Sequence, residues 1–349
     1  MSAISSSVDA AIRPPFAYYG GKTRLAGKIA ALLPEHGHYV EPFAGSLAVL
    51  LAKPASKLET VNDLDGDLML FWRVLRDRPE ELARVCALTP HSRTERELAG
   101  NRPADLPELE RARRIWVCLT QGRTGTLRSK TGWRFDSADV AHTSMPGRLN
   151  GYVDRLDAVS TRLMSVSLEC RPALDVIAAY GGKRRTLLYV DPPYLSSVRE
   201  RNYRHEMGGQ TQHRELAAAL HTCTATVVIS GYASDLYDRD LYPDWHRHEL
   251  PASTSQGGTW EQRTEVLWSN RPLRQVATEA SDDDLLDLAE FRNTASHEVG
   301  ECNETRCAAA DCAKVIRQPS TGRPRTYCCT ACRVRAHRQA RATNLRIDT

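Results

Sequence analysis

The sequence has no long apolar run and no recognisable export signal. No stretch approaches the roughly 18 consecutive apolar residues that a membrane-spanning helix needs. Residues 1–12 lack both the basic and the apolar part of a secretory signal. We therefore expect a cytoplasmic protein.

The net charge is also small. The chain of 349 residues carries a formal charge of +4, which by itself says little about nucleic acid. The charges are unevenly placed, because residues 279–301 are rich in Asp and Glu, whereas residues 314–346 contain Lys and Arg and no acidic residue. This pattern predicts an acidic linker followed by a basic tail.

Cysteines are sparse in the main body of the chain. Of ten cysteines, only Cys86, Cys118, Cys170 and Cys223 precede residue 300, and they are widely spaced. In a cytoplasmic protein we expect these thiols to stay reduced. With 41% hydrophobic residues, no internal repeat and no long low-complexity tract, the main body is typical of a globular protein.

A short turn with one carboxylate follows an apolar segment. Residues 187–190 have the composition of a buried parallel strand, and Asp191-Pro192-Pro193-Tyr194 comes directly after them. Open α/β sheets bind ligands at the carboxyl ends of their strands. Since the prolines provide no N–H donors, Asp191 and the Pro192 carbonyl form an acceptor-only pair beside an aromatic ring. Such a pair suits the exocyclic amino group of a nucleobase, although an ordinary strand-to-loop turn can have the same sequence.

Two segments nearer the N-terminus have the composition of a nucleoside-binding site. Residues 16–22 (Phe-Ala-Tyr-Tyr-Gly-Gly-Lys) precede a helical stretch, and residues 39–46 (Tyr-Val-Glu-Pro-Phe-Ala-Gly-Ser) join a predicted strand to the next helix. Gly45 would let the backbone approach a ligand closely. Asp63 follows at the end of the next strand, where a carboxylate can accept both hydrogen bonds of a ribose diol. The alternative is that Asp63 and Asp65 merely cap a helix.

In this order, the three motifs resemble those of the Dam-type (alpha-group) N6-adenine-specific DNA methyltransferases. Members of that family carry an aromatic-x-Gly-Gly-Lys segment, a Glu-Pro-Phe-x-Gly loop and an Asp-Pro-Pro-Tyr turn, and the similarity extends over roughly residues 14–270. The resemblance implies S-adenosylmethionine as cofactor, with Asp63 at the ribose-binding position. The cofactor-binding residues that follow from the motifs are Tyr18, Gly20, Gly21, Lys22, Glu41, Phe43, Gly45, Asp63 and Asp191.

The resemblance also implies a reaction. Asp191 and the Pro192 carbonyl would accept both amino protons of an adenine that has left the duplex, and Tyr194 would stack on its ring. The catalytic residues are then Asp191, Pro192, Pro193 and Tyr194. Methylation of a cytosine N4 amino group remains an alternative, because the same acceptors serve both bases. Protein or RNA amide methylation is less favoured, since related turns in those enzymes usually begin with Asn.

Two positions depart from the family pattern. Leu47 occupies a position where many members have a second glycine, so we expect a tighter or differently shaped loop. It is also the one hint of a further alternative, a catalytically retired DNA-binding protein. Ala17 stands where many relatives that act on GATC have lysine, so a GATC target is not assumed.

Residues 120–135 resemble the target-recognition hairpin of the same family. Trp133 or Phe135 would anchor this hairpin, and its basic side chains would contact guanine edges or phosphates of double-stranded DNA. The predicted DNA-binding residues are Arg123, Arg128, Lys130 and Arg134. A solvated basic loop is the alternative.

The six remaining cysteines cluster near the C-terminus. Cys307, Cys312, Cys328 and Cys332 have the paired spacing of a structural zinc site, and the surrounding arginines resemble short zinc modules appended to bacterial and phage DNA enzymes. In a segment this short, metal binding would have to stabilise the fold. Replacement of one ligand by Cys302, Cys329 or His337, and a disordered tail with redox-sensitive thiols, remain open.

Together these features predict the fold class α/β: a Rossmann-like, doubly wound methyltransferase sheet with an inserted helical and hairpin recognition subdomain. Strands are expected at residues 38–42, 60–63, 165–168, 187–190, 226–230 and 265–268, and helices at 23–33, 48–52, 67–82, 107–119 and 213–220. The predicted domains are a disordered N-terminus (1–13), a methyltransferase domain (14–66 and 160–275), a recognition subdomain (67–159), an acidic linker (276–301) and a zinc module (302–349). A cognate restriction endonuclease is a possible partner, and the oligomeric state stays open.

Overall fold

The computed structural model describes residues 12–127, 131–136, 144–195, 207, 209–254 and 261–275, and the strands at 304–306 and 315–317. The chain divides into two compact units, Met1–Glu279 and Ala280–Thr349. Within the described ranges, no helix is both long and apolar enough to cross a membrane.

The first unit contains a seven-stranded mixed sheet, which confirms the predicted α/β class. Its strands are β1 (His38–Glu41), β2 (Leu58–Asn62), β3 (Ser167–Glu169), β4 (Thr186–Val190), β5 (Thr226–Tyr232), β6 (His246–Thr254) and β7 (Glu261–Ser269). Their spatial order is β3-β2-β1-β4-β5-β7-β6, with β7 antiparallel to both β5 and β6. Because β1 pairs in parallel with both β2 and β4, the order of the strands reverses at β1 and β4.

The burial of each strand follows from its sequence. All five residues of β4 are buried, as its Thr-Leu-Leu-Tyr-Val composition predicts for a strand covered on both faces. The edge strand β6 was not predicted, because it begins with the exposed polar residues His246, Arg247 and His248 and contains Pro251. Proline is tolerated at a sheet edge, where its missing N–H breaks no ladder.

Helices cover both faces of the sheet and fill the insertion between β2 and β3. They are α1 (Ala26–Leu32), α2 (Ala48–Ala52), α3 (Gly66–Asp77), α4 (Pro79–Ala87), α5 (Arg93–Ala99), α6 (Glu108–Gln121), α7 (Met145–Val153), α8 (Leu156–Leu163), α9 (Ala173–Tyr180), α10 (Gln210–His221) and a π-helix (Leu236–Leu241). The single helix predicted over residues 67–82 is wrong. Arg78 leaves helical geometry and Pro79 starts a new helix, since a residue before proline disfavours the helical conformation.

The inserted helices share one hydrophobic core with the first strands. Phe71, Trp72 and Trp116 are fully buried in the same cluster as Tyr39 of β1. The two indole N–H groups donate outward from this core: Trp72 to the carbonyl of Gly45 at 3.2 Å, and Trp116 to a carbonyl of the N-terminal segment. The insertion therefore supports the loop that follows β1.

The second unit is described only at two short strands. β8 (Glu304–Arg306) pairs antiparallel with β9 (Val315–Arg317).

Candidate active site at the carboxyl edge of the sheet

Three carboxylates meet where the sheet reverses its strand order. Glu41 ends β1, Asp191 follows β4 directly, and Asp63 follows β2. All three line one cavity, and Tyr18 and Lys22 contribute to its wall from the N-terminal segment. This is the position where open α/β sheets bind ligands.

All nine residues predicted to bind the cofactor line this cavity. Glycine is needed where the two loops meet: a Cβ on Gly21 would lie 3.0 Å from the Ser46 hydroxyl and from the Tyr18 carbonyl. Gly45 has a φ of +47°, and a Cβ there would lie 3.3 Å from the Tyr18 ring. The glycines therefore allow the two segments to form one wall.

Asp63 is oriented by backbone donors. Its Oδ2 accepts a hydrogen bond from the Gly45 N–H at 3.0 Å, and its Oδ1 accepts one from the Asp65 N–H at 2.9 Å. Two backbone N–H groups thus fix the orientation of this carboxylate at the cavity wall. Asp65 instead caps α3, accepting from the Asp67 N–H at 3.0 Å, so the helix-cap interpretation applies to Asp65.

Glu41 is a buried carboxyl group with an unused acceptor. Its Oε2 has no hydrogen-bond partner among the described residues, although the residue is only 2% exposed. Burial raises the pKa of Glu41 to about 8. A buried acid at a cavity wall suits a cationic ligand group, and S-adenosylmethionine has two, its sulfonium and its α-ammonium. The residues present therefore fit the cofactor that the resemblance implies.

Leu47 adopts the left-handed backbone conformation that glycine accepts without strain. Its φ is 59° and its ψ is 23°, and its side chain is fully buried. The loss of glycine thus places strain at this residue, which packing of the leucine side chain offsets. A changed loop shape relative to the family stays a prediction.

Asp191 is held by two side chains that were not expected to contact it. Lys22 Nζ lies 2.8 Å from Oδ1 and 3.0 Å from Oδ2, and the Ser230 hydroxyl donates to Oδ1 at 2.9 Å. Lys22 is only 7% exposed. The carboxylate is therefore part of a partly buried ion pair with a fixed orientation. Ser230 carried no signal in the sequence beyond its place at the end of a predicted strand.

Tyr194 is anchored behind Asp191. Its hydroxyl donates to Glu265 Oε1, and its ring packs edge-to-face on Tyr232 with centroids 4.7 Å apart. Lys22 Nζ lies 4.7 Å from the ring centroid. Glu265 was missed as a site residue. Its one signal was an acid beginning the otherwise apolar run that predicted a strand.

Within the described residues, the two ends of the segment predicted as a hairpin lie side by side. Gly122 and Trp133 make an antiparallel bridge, and the Arg123 N–H donates to the Gly132 carbonyl at 2.9 Å. Trp133 is stacked between His91 and Phe135, with centroids at 4.5 and 5.4 Å. Trp133 is therefore the inner anchor, and Phe135 is 44% exposed.

Two of the four predicted DNA-binding side chains are described. Arg134 Nη2 donates to the Arg123 carbonyl at 2.9 Å, and Arg123 Nε donates to the Trp133 carbonyl at 3.4 Å. Each guanidinium has further N–H groups available for a ligand. Arg128 and Lys130 lie outside the described residues.

The predicted zinc ligands also lie outside the described residues. These are Cys307, Cys312, Cys328 and Cys332. In the described part of the chain, no group of three or more His, Cys, Asp or Glu side chains is arranged to hold a metal ion. Cys86, Cys118, Cys170 and Cys223 form no disulfide among the described residues.

The N-terminal part of the chain, which contains the first two motifs of the site, matches a known protein family. Residues 18–102 match the profile of the D12 class N6 adenine-specific DNA methyltransferases. Over 285 residues, the chain is 27% identical to the type II methyltransferase M1.LlaDCHI of Lactococcus lactis subsp. cremoris, covering 74% of this chain and 95% of that protein.

Solved structures overlap only loosely. Precorrin 8W decarboxylase of Methanobacterium thermoautotrophicum gives a TM-score of 0.33 at 10% identity, covering 74% of this chain and 98% of that one. The putative methyltransferase yhhF of Escherichia coli gives 0.27 at 10% identity, covering 73% and 84%. Overlaps this low carry no inference. The sequence matches show that the chain is an adenine-specific DNA methyltransferase, and its residues 18–102 are similar to the D12 class.

Proposed function

We propose that methyl transfer takes place at Asp191-Pro192-Pro193-Tyr194, on the N6 amino group of an adenine turned out of double-stranded DNA. The observation that carries this proposal is that the Asp191 carboxylate lines the same cavity as Glu41 and Asp63. The cavity would hold S-adenosylmethionine, with Asp63 on its ribose and Glu41 at its cationic end. Tyr194 follows Asp191 in the same turn but is not among the residues that line this cavity.

The chemistry follows from the acceptors. An adenine amino nitrogen is a weak nucleophile, because its lone pair is delocalised into the ring. Hydrogen bonds from both amino protons to Asp191 and the Pro192 carbonyl favour the pyramidal form and stabilise the positive charge that develops there. The cofactor supplies an electrophilic methyl group on its sulfonium. Since Lys22 and Ser230 hold the carboxylate before the base arrives, little reorganisation is needed.

The test is methylation of unmethylated DNA by the purified protein with labelled S-adenosylmethionine, followed by mass spectrometry of the nucleosides. We expect N6-methyladenine. Asp191→Ala should abolish transfer and largely keep cofactor binding, whereas Asp191→Asn, which keeps one carbonyl acceptor but loses the charge that pairs with Lys22, should slow transfer less. N4-methylcytosine would favour the cytosine alternative. Binding of DNA and cofactor without transfer would favour a retired enzyme.

We also propose that the hairpin at Gly122 and Trp133 reads the DNA target. The exposed guanidinium of Arg123 supports this, because arginine pairs with guanine edges and phosphates. Arg123→Ala should weaken DNA binding and leave cofactor affinity unchanged. Arg184→Ala is the control, since this exposed arginine precedes β4 at the opposite edge of the sheet.

Three finer assignments rest on sequence. The order of the motifs supports a Dam-type subgroup, and the similarity to a type II methyltransferase supports a cognate restriction endonuclease as partner. The spacing of Cys307, Cys312, Cys328 and Cys332 supports a structural zinc site. In the sequence, the first two of these cysteines fall between the paired strands β8 and β9.

A further inference from the structure

A second buried carboxylate lies behind the Asp191 turn. Glu265 belongs to β7, where it pairs with Tyr232 of β5, and it is only 4% exposed. The matched family profile ends at residue 102 and does not include it. A charged group in a sheet interior is destabilising unless hydrogen-bond or ion-pair partners satisfy it. The partners of Glu265 therefore indicate why a carboxylate is present at this position.

Glu265 is joined to two members of the site. The Tyr194 hydroxyl donates to its Oε1, and Lys22 Nζ lies 3.6 Å from the same oxygen. Lys22 also pairs with Asp191 at 2.8 Å. One buried ammonium group therefore lies between two carboxylates, and the Tyr194 ring lies below it at 4.7 Å.

This arrangement fixes two things that the reaction needs. The Tyr194 ring is held at its hydroxyl end by Glu265 and by T-shaped packing with Tyr232. The position of the Lys22 ammonium, and hence of the Asp191 carboxylate, depends on attraction from both acids. The pKa of Lys22 reflects this attraction. Burial alone would lower this pKa, but the two carboxylates of Asp191 and Glu265 have the larger effect and raise it above its usual value.

We propose that Glu265 is a positioning residue that sets the stacking ring of Tyr194 and, through Lys22, the acceptor Asp191 in register for the target base. The inference rests on the proposed function, because it assigns a role in that reaction. Glu265 is not among the described residues that line the cavity. Its removal should therefore impair the chemical step while cofactor affinity is kept.

The experiment compares three variants of the full chain. Tyr194→Phe keeps the ring and removes its hydroxyl, Glu265→Gln keeps an acceptor for that hydroxyl and removes the charge, and Glu265→Ala removes both. Glu249→Gln is the matched control, because Glu249 is an exposed acid on the neighbouring strand β6. For each protein, kcat, KM for DNA, the Kd for S-adenosylmethionine and the melting temperature are measured.

We expect Glu265→Ala to lower kcat by roughly 10- to 100-fold, the size of effect that a small misplacement produces, with the cofactor Kd within about twofold of wild type. Glu265→Gln should recover part of the loss. The double variant Tyr194→Phe with Glu265→Ala should be no slower than Glu265→Ala alone, since both remove the same contact. A role in folding alone would lower the melting temperature without this pattern.

Wild-type kcat in Glu265→Ala, or fully multiplicative losses in the double variant, would overturn the inference. If Glu265→Ala fails to fold, Glu265→Gln and Tyr194→Phe decide the question alone: a wild-type kcat in both would also overturn it. A wild-type protein that methylates no adenine would instead overturn the proposed function, so the two failures are distinguishable.

Discussion

At the scale of single residues, the buried carboxyl of Glu41 predicts that cofactor binding depends on pH. It lies at the cavity wall, and burial raises its pKa to about 8, so Glu41 is mostly neutral at pH 7 in the empty site. A cationic ligand favours the carboxylate, so binding must release a proton. Affinity for S-adenosylmethionine should therefore rise by up to about tenfold per pH unit towards pH 8 and then level off.

Calorimetric titration in buffers of different ionisation enthalpy measures this proton release directly. Glu41→Gln is the control, which should bind more weakly and show a flat pH dependence. The folding stability of the protein without ligand changes with pH in the opposite direction. The contribution of Glu41 to the free energy of unfolding is fully present below its usual pKa of 4.5 and is lost as the pH rises to about 8. A pH-independent affinity in the wild type would contradict the assignment of Glu41 to the cationic end.

The left-handed backbone conformation of Leu47 leads to a prediction about folding stability. Truncating a buried leucine costs about 2–5 kcal/mol of unfolding free energy, but a left-handed backbone costs a non-glycine residue about 1–2 kcal/mol. Leu47→Ala loses the packing and keeps the strain, whereas Leu47→Gly loses the packing and relieves it. We expect Leu47→Gly to be the more stable of the two by about 0.5–1 kcal/mol after its larger unfolded-state entropy is counted. Urea unfolding measures the difference, and a more stable alanine variant would show that residue 47 carries no backbone strain.

At the scale of elements, the hairpin is tied to the segment that carries Lys22. The Tyr19 N–H donates to the Gly125 carbonyl at 3.0 Å. Gly125 has a φ of +61°, and a Cβ there would lie 2.8 Å from the Ala17 carbonyl oxygen. Gly125, three residues after the bridged Gly122, is therefore packed against backbone with no room for a side chain.

Gly125→Ala should displace the contact between Gly125 and the backbone of residues 17–19. We expect a loss of about 1–3 kcal/mol in unfolding free energy and a weaker affinity for S-adenosylmethionine, even though Gly125 does not line the cavity. Gly151→Ala is the matched control: it lies in α7 with no atom near its added Cβ, and it should stabilise the protein by about 0.5–1 kcal/mol. Thermal unfolding and cofactor titration measure both variants. Unchanged cofactor affinity in Gly125→Ala would show that the hairpin and the cavity are independent.

Element positions were predictable where burial dominated the sequence. β4 and α2 were predicted within one residue, because one is a continuous apolar strand and the other follows a glycine loop. The strand β6 and the helix α5 were not predicted, because both have polar sequences and are stabilised by contacts with neighbouring elements. β6 is held by its long antiparallel pairing with β7, and α5 by packing on α6.

At the scale of the whole molecule, the two compact units predict separable properties. The full chain should contain about one Zn²⁺ held by the C-terminal cysteines, and Cys328→Ser should lower this content. Cys170→Ser is the control, since Cys170 is an exposed free thiol in the first unit. Removing the metal with a chelator should leave the cofactor affinity of the first unit unchanged. Elemental analysis that finds no zinc in the full chain would contradict the zinc site.

The sequence by itself determined the α/β class and nine of the residues that line the cavity. Each of the segments with Gly45, Asp63 and Asp191 directly follows a strand that can be recognised from its own apolar residues. Because parallel strands have their carboxyl ends at the same edge of a sheet, these residues line one cavity. Only the tertiary structure decided which groups satisfy the buried charges. Lys22 and Asp191 are 169 positions apart, and Glu265 reaches them from an antiparallel strand. No local pattern encodes such pairings, because they depend on the order in which strands assemble and on which buried charges meet there.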